Sequence, residues 1–340
     1  LDAIGDTVVC LAFRRVVFRC VVERGQGVAA AGAATDAFLG GLVDVEDGHS
    51  IIHEASLKSI GRWPWSRDTL SALVDKLFDQ YSVAALGIDV VFAEPDTSSG
   101  LDTLKQLAQR DLSGNPEFQA AFRQIAPRLD YDGRFARALA DRPVSLGFYF
   151  IPAGFGDAKS GMLPPASLPS TAFDPLHPGL PLATGFGANL AAFQNAAQGA
   201  GFFNMRADAD GTARQMQLVA PYGNGYYQAL SASTLGVAFG GEPLVAGVEQ
   251  TSLLGRRYAA PWVEIGGIRV PLSVDGSVHV PYRAGSPFPY ISAAQVLAGK
   301  VPPAQLENRI VLLGSTAPGL SDLRVTPFSN AFPGVEIHAH

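Results

Sequence analysis

Between residues 66 and 150 the hydrophobic positions change period twice, and the changes mark out a helix, a strand, more helix and a second strand. Leu70, Leu73, Val74, Leu77 and Phe78 recur three and four residues apart, the spacing of one apolar helix face, with Ser66 or Asp68 placed to cap the first turn. After Asp79-Gln80-Tyr81 the period gives way to an apolar run from Val83, the pattern of a strand covered on both faces, which ends in Asp89, Glu94 and Asp96. Helical spacing returns over residues 101–140, with a break at Gly114-Asn115-Pro116, and Arg142-Pro143 closes it before the apolar strand 144–150. Strand, helices, strand is the crossover order of a parallel sheet, a connection that is almost always right-handed.

The second half alternates more quickly. Residues 151–200 are dense in Pro, Gly and Ala with little periodicity before Leu190-Ala-Ala-Phe193, and read as a surface excursion that could act as a moving lid. Asp208-Ala-Asp-Gly211 is a turn signal between strand-like runs at 201–204 and 213–219, which predicts a hairpin. Residues 226–239 predict an amphipathic helix stopped by Gly240-Gly241. Gly266-Gly267 and Asp275-Gly276 close two further predicted hairpins, residues 291–298 a short helix, and residues 310–313 a last buried strand with Gly314-Ser315-Thr316 at its carboxyl end. The sum is an α/β domain: a mixed sheet, parallel at its centre, extended by β-hairpins and flanked by helices.

Composition narrows the partners. The chain has 340 residues, 47% of them hydrophobic, enough for a large core. Lys and Arg number 25 against 31 acids, a formal net charge of -6, so no broad basic field exists to hold nucleic acid. The two cysteines, Cys10 and Cys20, lie in the first fifty residues and leave the body without a thiolate metal site. That first segment fits the pattern least: its apolar run is broken by Arg14, Arg15 and Arg19, and the Ala/Gly stretch 27–41 has no period. Either this edge has diverged or the upstream sequence is not the native reading of its gene.

Candidate chemistry gathers at strand ends. Asp89, Glu94 and Asp96 follow one predicted parallel strand, and Ser315, Thr316, Asp322 and Arg324 follow another. Open α/β sheets bind ligands at that edge, so a pocket there is one reading; helix capping and ion pairing are the other. Trp63 and Trp65, clamped around Pro64 with Arg62 and Arg67 beside them, could stack on a ligand or pack the corner onto the sheet. Three acids in eight residues lack the further ligands of a metal shell, and Gly-x-Ser-x-Gly and the P-loop spacing are absent. None of His49, His53, His177, His279, His338 and His340 has zinc spacing, and each reads as structural or exposed. No cofactor is expected.

Gly61-Arg-Trp-Pro-Trp-Ser-Arg67 with Gly87-Ile-Asp-Val-Val-Phe-Ala-Glu-Pro-Asp96 closely resembles the type-two CHASE domain, an extracellular sensory module of bacterial cyclases and histidine kinases. Gly201-Phe-Phe-Asn204 with Asp210-Gly-Thr-Ala-Arg214, residues 310–324, Thr326-Pro-Phe328 and Pro333-Gly-Val-Glu-Ile-His338 follow the same pattern in order, from about Ile51 to the last residue. At the start of the match His53 stands where the family has aspartate. The resemblance implies a fragment of a bacterial membrane protein. Its sensor domain would lie in the periplasm or outside the cell, answer an unknown small-molecule or physical signal, and control an intracellular cyclase, kinase or diguanylate cyclase. Membrane contact would come through segments outside this chain, and a homodimer would form through the parent. The family supplies no catalytic residue to carry over. A cytoplasmic α/β enzyme using the strand-end carboxylates, and a purely structural dimerisation module, are the alternatives.

Overall fold

The structure, a computed structural model of the chain, describes residues 7–13, 17–23, 54–61, 63–176, 183–253, 256–283, 288–315 and 323–340. Strands β1 (Thr7–Phe13) and β2 (Val17–Glu23) pair antiparallel, and helix α1 (Glu54–Ile60) precedes the tryptophan corner. Helix α2 (Arg67–Asp75) begins where its capping chemistry predicts, with the Ser66 hydroxyl accepting from the Thr69 N–H, and runs on through a π-helical turn, Lys76–Gln80. Replacing Ser66 by Ala should lower stability by about 1 kcal/mol, read as a shift of the urea midpoint. An unmoved midpoint would assign the helix start to packing alone.

Strand β3 (Ala85–Ile88) is shorter than its apolar run, because Val90 and Phe92 leave the sheet to pack on the core beside it. Helices α3 (Leu101–Gln109), α4 (Pro116–Leu129) and α5 (Tyr131–Leu139) form the crossover to β4 (Val144–Pro152), with Asn115 and Asp130 as side-chain caps of α4 and α5. Next come β5 (Lys159–Ser160), β6 (Leu168–Pro169), β7 (Ala183–Gly187), α6 (Ala191–Ala196) and β8 (Gly199–Phe202). Beyond them lie β9 (Gln215–Gln217), β10 (Val219–Tyr222), β11 (Gly225–Gln228) and α7 (Leu230–Ala238). The meander β12 (Val245–Leu253), β13 (Arg256–Ile265) and β14 (Ile268–Pro271) precedes β15 (Ser277–His279) and α8 (Ala293–Leu297). Strands β16 (Ile310–Leu313), β17 (Leu323–Arg324) and β18 (Phe332–Pro333) and helix α9 (Gly334–Ile337) end the chain.

The central sheet is mixed and parallel in the middle. Strands β16, β3 and β4 run parallel side by side, and β8 adds a further parallel neighbour to β4. Strand β7 pairs with β4 antiparallel, farther along, and carries β5. The hairpins add small sheets beside this one: β6 with β10 and β11, the meander, and β15 with β9.

Helices cover both faces. On one, Leu70, Leu73, Val74 and Leu77 meet Leu86, Ile88, Val144, Leu146, Val311 and Leu313, with Phe135, Leu139 and Phe193 completing the layer. On the other, α7 lies unusually close to the strands. An added Cβ would stand 2.5 Å from Thr234 Oγ1 at Gly87, 2.7 Å from Ser233 Oγ at Gly199 and 2.4 Å from the Ala229 carbonyl at Gly201. Bare glycine backbone lets the helix settle, and Ser145 Oγ donates to Ser233 Oγ at 2.7 Å across the contact.

Four local expectations change. The turn at 208–211 is present, with the Gly211 N–H donating to the Asp208 carbonyl, but its arms separate: β8 joins β4 and β9 joins β15. Residues 225–228 form strand β11, and the helix after them is buried on nearly every side, so it has no amphipathic stripe. The Asp275-Gly276 turn forms, yet its second arm pairs with β9. The stretch 151–200 is an excursion only in part. Phe155 is 83% exposed, whereas Phe173, Ala188, Asn189 and Phe193 are fully buried and β7 is hydrogen-bonded to β4, so aromatic anchors and ladder bonds hold most of the segment in place.

Candidate functional site

Helix α2 runs against β3, which puts its first turn at the carboxyl end of the strand. The tryptophan corner, Arg67 and the 89–96 segment therefore meet at one edge. The Trp63-Pro64 peptide bond is cis, the two indoles meet edge to face at 5.4 Å, and Trp65 Nε1 donates to the Gly61 carbonyl at 2.9 Å. Trp65 is buried and Trp63, partly buried, packs against the same cluster, so both indoles pack onto the core.

Arg67 is the hub of the corner. Its backbone N–H donates to Asp96 Oδ2 at 2.6 Å, and its guanidinium donates to the Glu94 carbonyl at 3.2 Å. The guanidinium also stacks 4.5 Å over Phe92 and stands 3.8 Å from Asp132. Asp132 accepts the Asp96 N–H at 3.0 Å. Burial would raise Asp96, but hydrogen bonds from Ser98 and the Arg67 backbone, with the Arg67 charge, bring it below its ordinary value. Asp132 is raised by burial, which the Asp96 N–H and Arg67 only partly oppose, and Arg67 is lowered by burial. This network ties α2, the strand end and α5 together. Glu94 itself contributes its carbonyl, and its side chain is exposed.

The second strand end lies in the same row. The Asp89 N–H donates to the Leu313 carbonyl at 2.8 Å, which registers the tips of β3 and β16. Gly314 passes so close to α9 that an added Cβ would be 2.6 Å from Val335, and Ser315 Oγ is buried with no hydrogen-bond partner among the described residues. Arg324 lies on β17, opposite Phe332 of β18. Thr316 and Asp322 lie outside the described residues, as do Arg62, His49, His53 and His177.

Two asparagines complete the edge, and nothing in their sequence spacing announces them. On one side of β4 its partner changes from β3, ending at the Ile88–Leu146 pair, to β7, starting at Gly187–Tyr149. At that joint Asn189 Nδ2 donates to the Gly147 carbonyl at 2.9 Å and Oδ1 accepts the Phe92 N–H at 2.8 Å. Beyond the end of β8, Asn204 imitates the next residue of the strand, accepting from the Phe150 N–H at 2.7 Å and donating to its carbonyl at 2.8 Å.

A second polar group lies around α9. Glu336 and His338 are buried, the Tyr290 hydroxyl donates to Glu336 Oε2, and His340 Nε2 stands 3.8 Å from Glu336 Oε1. Among the described residues neither ring nitrogen of His338 has a hydrogen-bond partner of ordinary geometry, and burial lowers it to about 4, with the Phe203 backbone opposing. Burial, with the Glu336 charge adding, pushes the Tyr282 hydroxyl up to about 12. From sequence His338 and His340 read as structural or exposed, and nothing in their spacing joined them to Glu336.

Away from both places a cleft of about 500 Å³ opens between the turn 170–175 and the β10–β11 hairpin, lined by Ser170, Thr171, Asp174, Pro221, Gly225 and Tyr226. Among the described residues no group of His, Cys, Asp and Glu could hold a metal ion, and no helix is long and apolar enough to cross a membrane.

A family model of the CHASE2 domain matches residues 51–340, most of the chain. No curated protein and no solved structure matches it.

Proposed function

The chain belongs to the CHASE2 family of sensory domains, and from that premise we propose that it is the extracytoplasmic input module of a transmembrane signalling protein. The family match over residues 51–340 is the observation that carries this reading. The domain stands in the periplasm or outside the cell, answers a small-molecule or physical signal, and biases an intracellular output domain, a nucleotide cyclase, a kinase or a diguanylate cyclase. A homodimer formed through the parent would couple two such domains.

A signal can shift the output only by interacting differently with two conformations of the sensor. Turning a population from 1:99 to 99:1 takes about 5.5 kcal/mol of such preference. The packed Arg67 corner and the asparagine seams make a rigid frame around the strand-end edge, so Arg67, Glu94 and Asp96 act in this reading by holding shape. A pocket lined by Asp89, Ser315 and their neighbours remains the location proposed for ligand contact from the tips of β3 and β16.

Topology reporters test the placement. Alkaline phosphatase fused after residue 340 in the parent gene should be active, since that enzyme matures outside the cytoplasm, and β-galactosidase fused at the same point should be silent. The reverse pattern would put the domain in the cytoplasm and overturn the proposal.

A further inference from the structure

The meander runs in the order β12, β13, β14, and among the described residues no strand pairs with the outer edge of β12. That strand, Val245–Leu253, keeps its register with β13 over all 9 residues, with no bulge. Sheet edges are usually blunted by proline, lysine, a bulge or a short strand, because a free row of N–H and C=O groups invites another chain. The sequence Val-Ala-Gly-Val-Glu-Gln-Thr-Ser-Leu has none of these devices, and its one charge is Glu249.

The strands beside it fix which backbone groups face outward. The Leu272 N–H donates to the Pro261 carbonyl at 2.8 Å, so Pro261 turns its carbonyl toward β14 and away from β12. Proline has no N–H to offer the other side. Val248 stands opposite Pro261 and is therefore not hydrogen-bonded to β13, and by alternation Ala246, Val248 and Gln250 aim their N–H and C=O groups at the free edge. Ala246 and Val248 also pack against the cluster that holds Val263 and Ile265, while Val245 and Glu249 are exposed.

We propose that β12 is a dimer interface, pairing antiparallel with β12 of a second copy about a two-fold axis at Val248. The two three-stranded meanders then become one continuous sheet. Register selects this occupant. Centred on Val248, Ala246 of each copy meets Gln250 of the other and Val248 meets its own counterpart, each pair exchanging both N–H···O bonds. The facing valines extend the apolar inner face across the junction, and Glu249 lies opposite Gly247 of the second copy. An axis at Glu249 would set two carboxylates against each other, which is destabilising. A strand edge alone covers less than the roughly 800 Å² per partner of a standard interface, so the dimer is weak in solution. The inference goes beyond the sensory reading, which drew its homodimer through the parent, and it does not depend on the side of the membrane where the domain stands.

The test uses the full 340-residue chain. Sedimentation should show a monomer–dimer equilibrium in the micromolar range, and Gln250→Pro, which removes an outward N–H and spares the ladder with β13, should weaken it at least about tenfold. With Cys10 and Cys20 replaced by Ser, Val248→Cys should give a disulfide-linked dimer on mild oxidation, because paired Cα atoms there stand about 5.5 Å apart. Gln250→Cys should not, since its two copies are offset by about 13 Å along the strand. A chain that stays monomeric up to about 1 mM, or a dimer indifferent to a folded Gln250→Pro, overturns the proposal. If the proline variant does not fold, the cysteines decide: linkage at 248 alone supports the pairing, and equal linkage at both positions, or none at 248, overturns it. A cytoplasmic reporter pattern would sink the sensory reading and leave the strand pairing standing, and loss of the pairing would leave the sensory reading intact.

Discussion

Replacing Asn189 by Leu is expected to destabilise the protein by about 4 kcal/mol, far more than its single short side chain suggests. The amide lies fully buried at the joint where β4 exchanges β3 for β7. It satisfies one backbone donor, at Phe92, and one backbone acceptor, at Gly147. Leucine has the same branched outline, is larger and satisfies neither, and each buried group left unpaired costs about 1–3 kcal/mol. Asn189→Ala should cost less, because the smaller side chain leaves room for a water to bridge the same two groups. Urea unfolding of both variants checks the order. A loss under about 1 kcal/mol for the leucine variant would mean that the backbone at the joint closes on itself and the amide is dispensable.

Acid should weaken the fold through His338. The buried ring is held neutral, at about 4 against an ordinary 6.5, so the unfolded chain takes up a proton that the folded one refuses. This contribution is present in full above pH 6.5 and is lost as pH falls from there through about 4. At about 1.4 kcal/mol per pH unit the gap is worth about 3 kcal/mol. His338→Leu keeps the apolar contacts and has nothing to protonate, so its stability should fall less steeply over that window. Chemical denaturation of the two chains at stepped pH gives the comparison, and parallel curves would show that the ring gains solvent or a partner on protonation at no cost. Carboxylates such as Asp132 titrate in both chains and cancel in the difference.

The tryptophan corner illustrates how far residue pattern reaches. The apolar face of α2, its Ser66 cap and the stop at Tyr81 are properties of neighbouring residues, so they were legible before any partner was known. Arg67 was named with the tryptophan corner and Glu94 and Asp96 with the strand end, and the fold brings these neighbours in sequence together; Asp132 was not named, since it comes from a helix 36 residues beyond Asp96 and only folding brings it within 3.0 Å. Strand ends suggested an open pocket. Beside that edge side chains far apart in the chain pack together, with Phe92 standing edge to face against Phe135 and Phe193 at 5.1 and 6.0 Å.

The hairpin expected around Asp208-Ala-Asp-Gly211 makes the same division from the other side. The turn is local and it forms; the pairing of its arms is not local, and each strand finds a different neighbour. Periodicity, capping and turn chemistry thus located from sequence alone most of the helices and strands and the parallel centre of the sheet, and the ordered motif blocks carried the resemblance to a sensory family. The tertiary structure alone decided which strand β4 meets at each residue, why Asn189 and Asn204 are needed there, and that His338 and His340 are enclosed. The physical reason is that backbone alternation and helical period act over a few residues, whereas strand pairing and the desolvation of a side chain depend on groups far away in the chain.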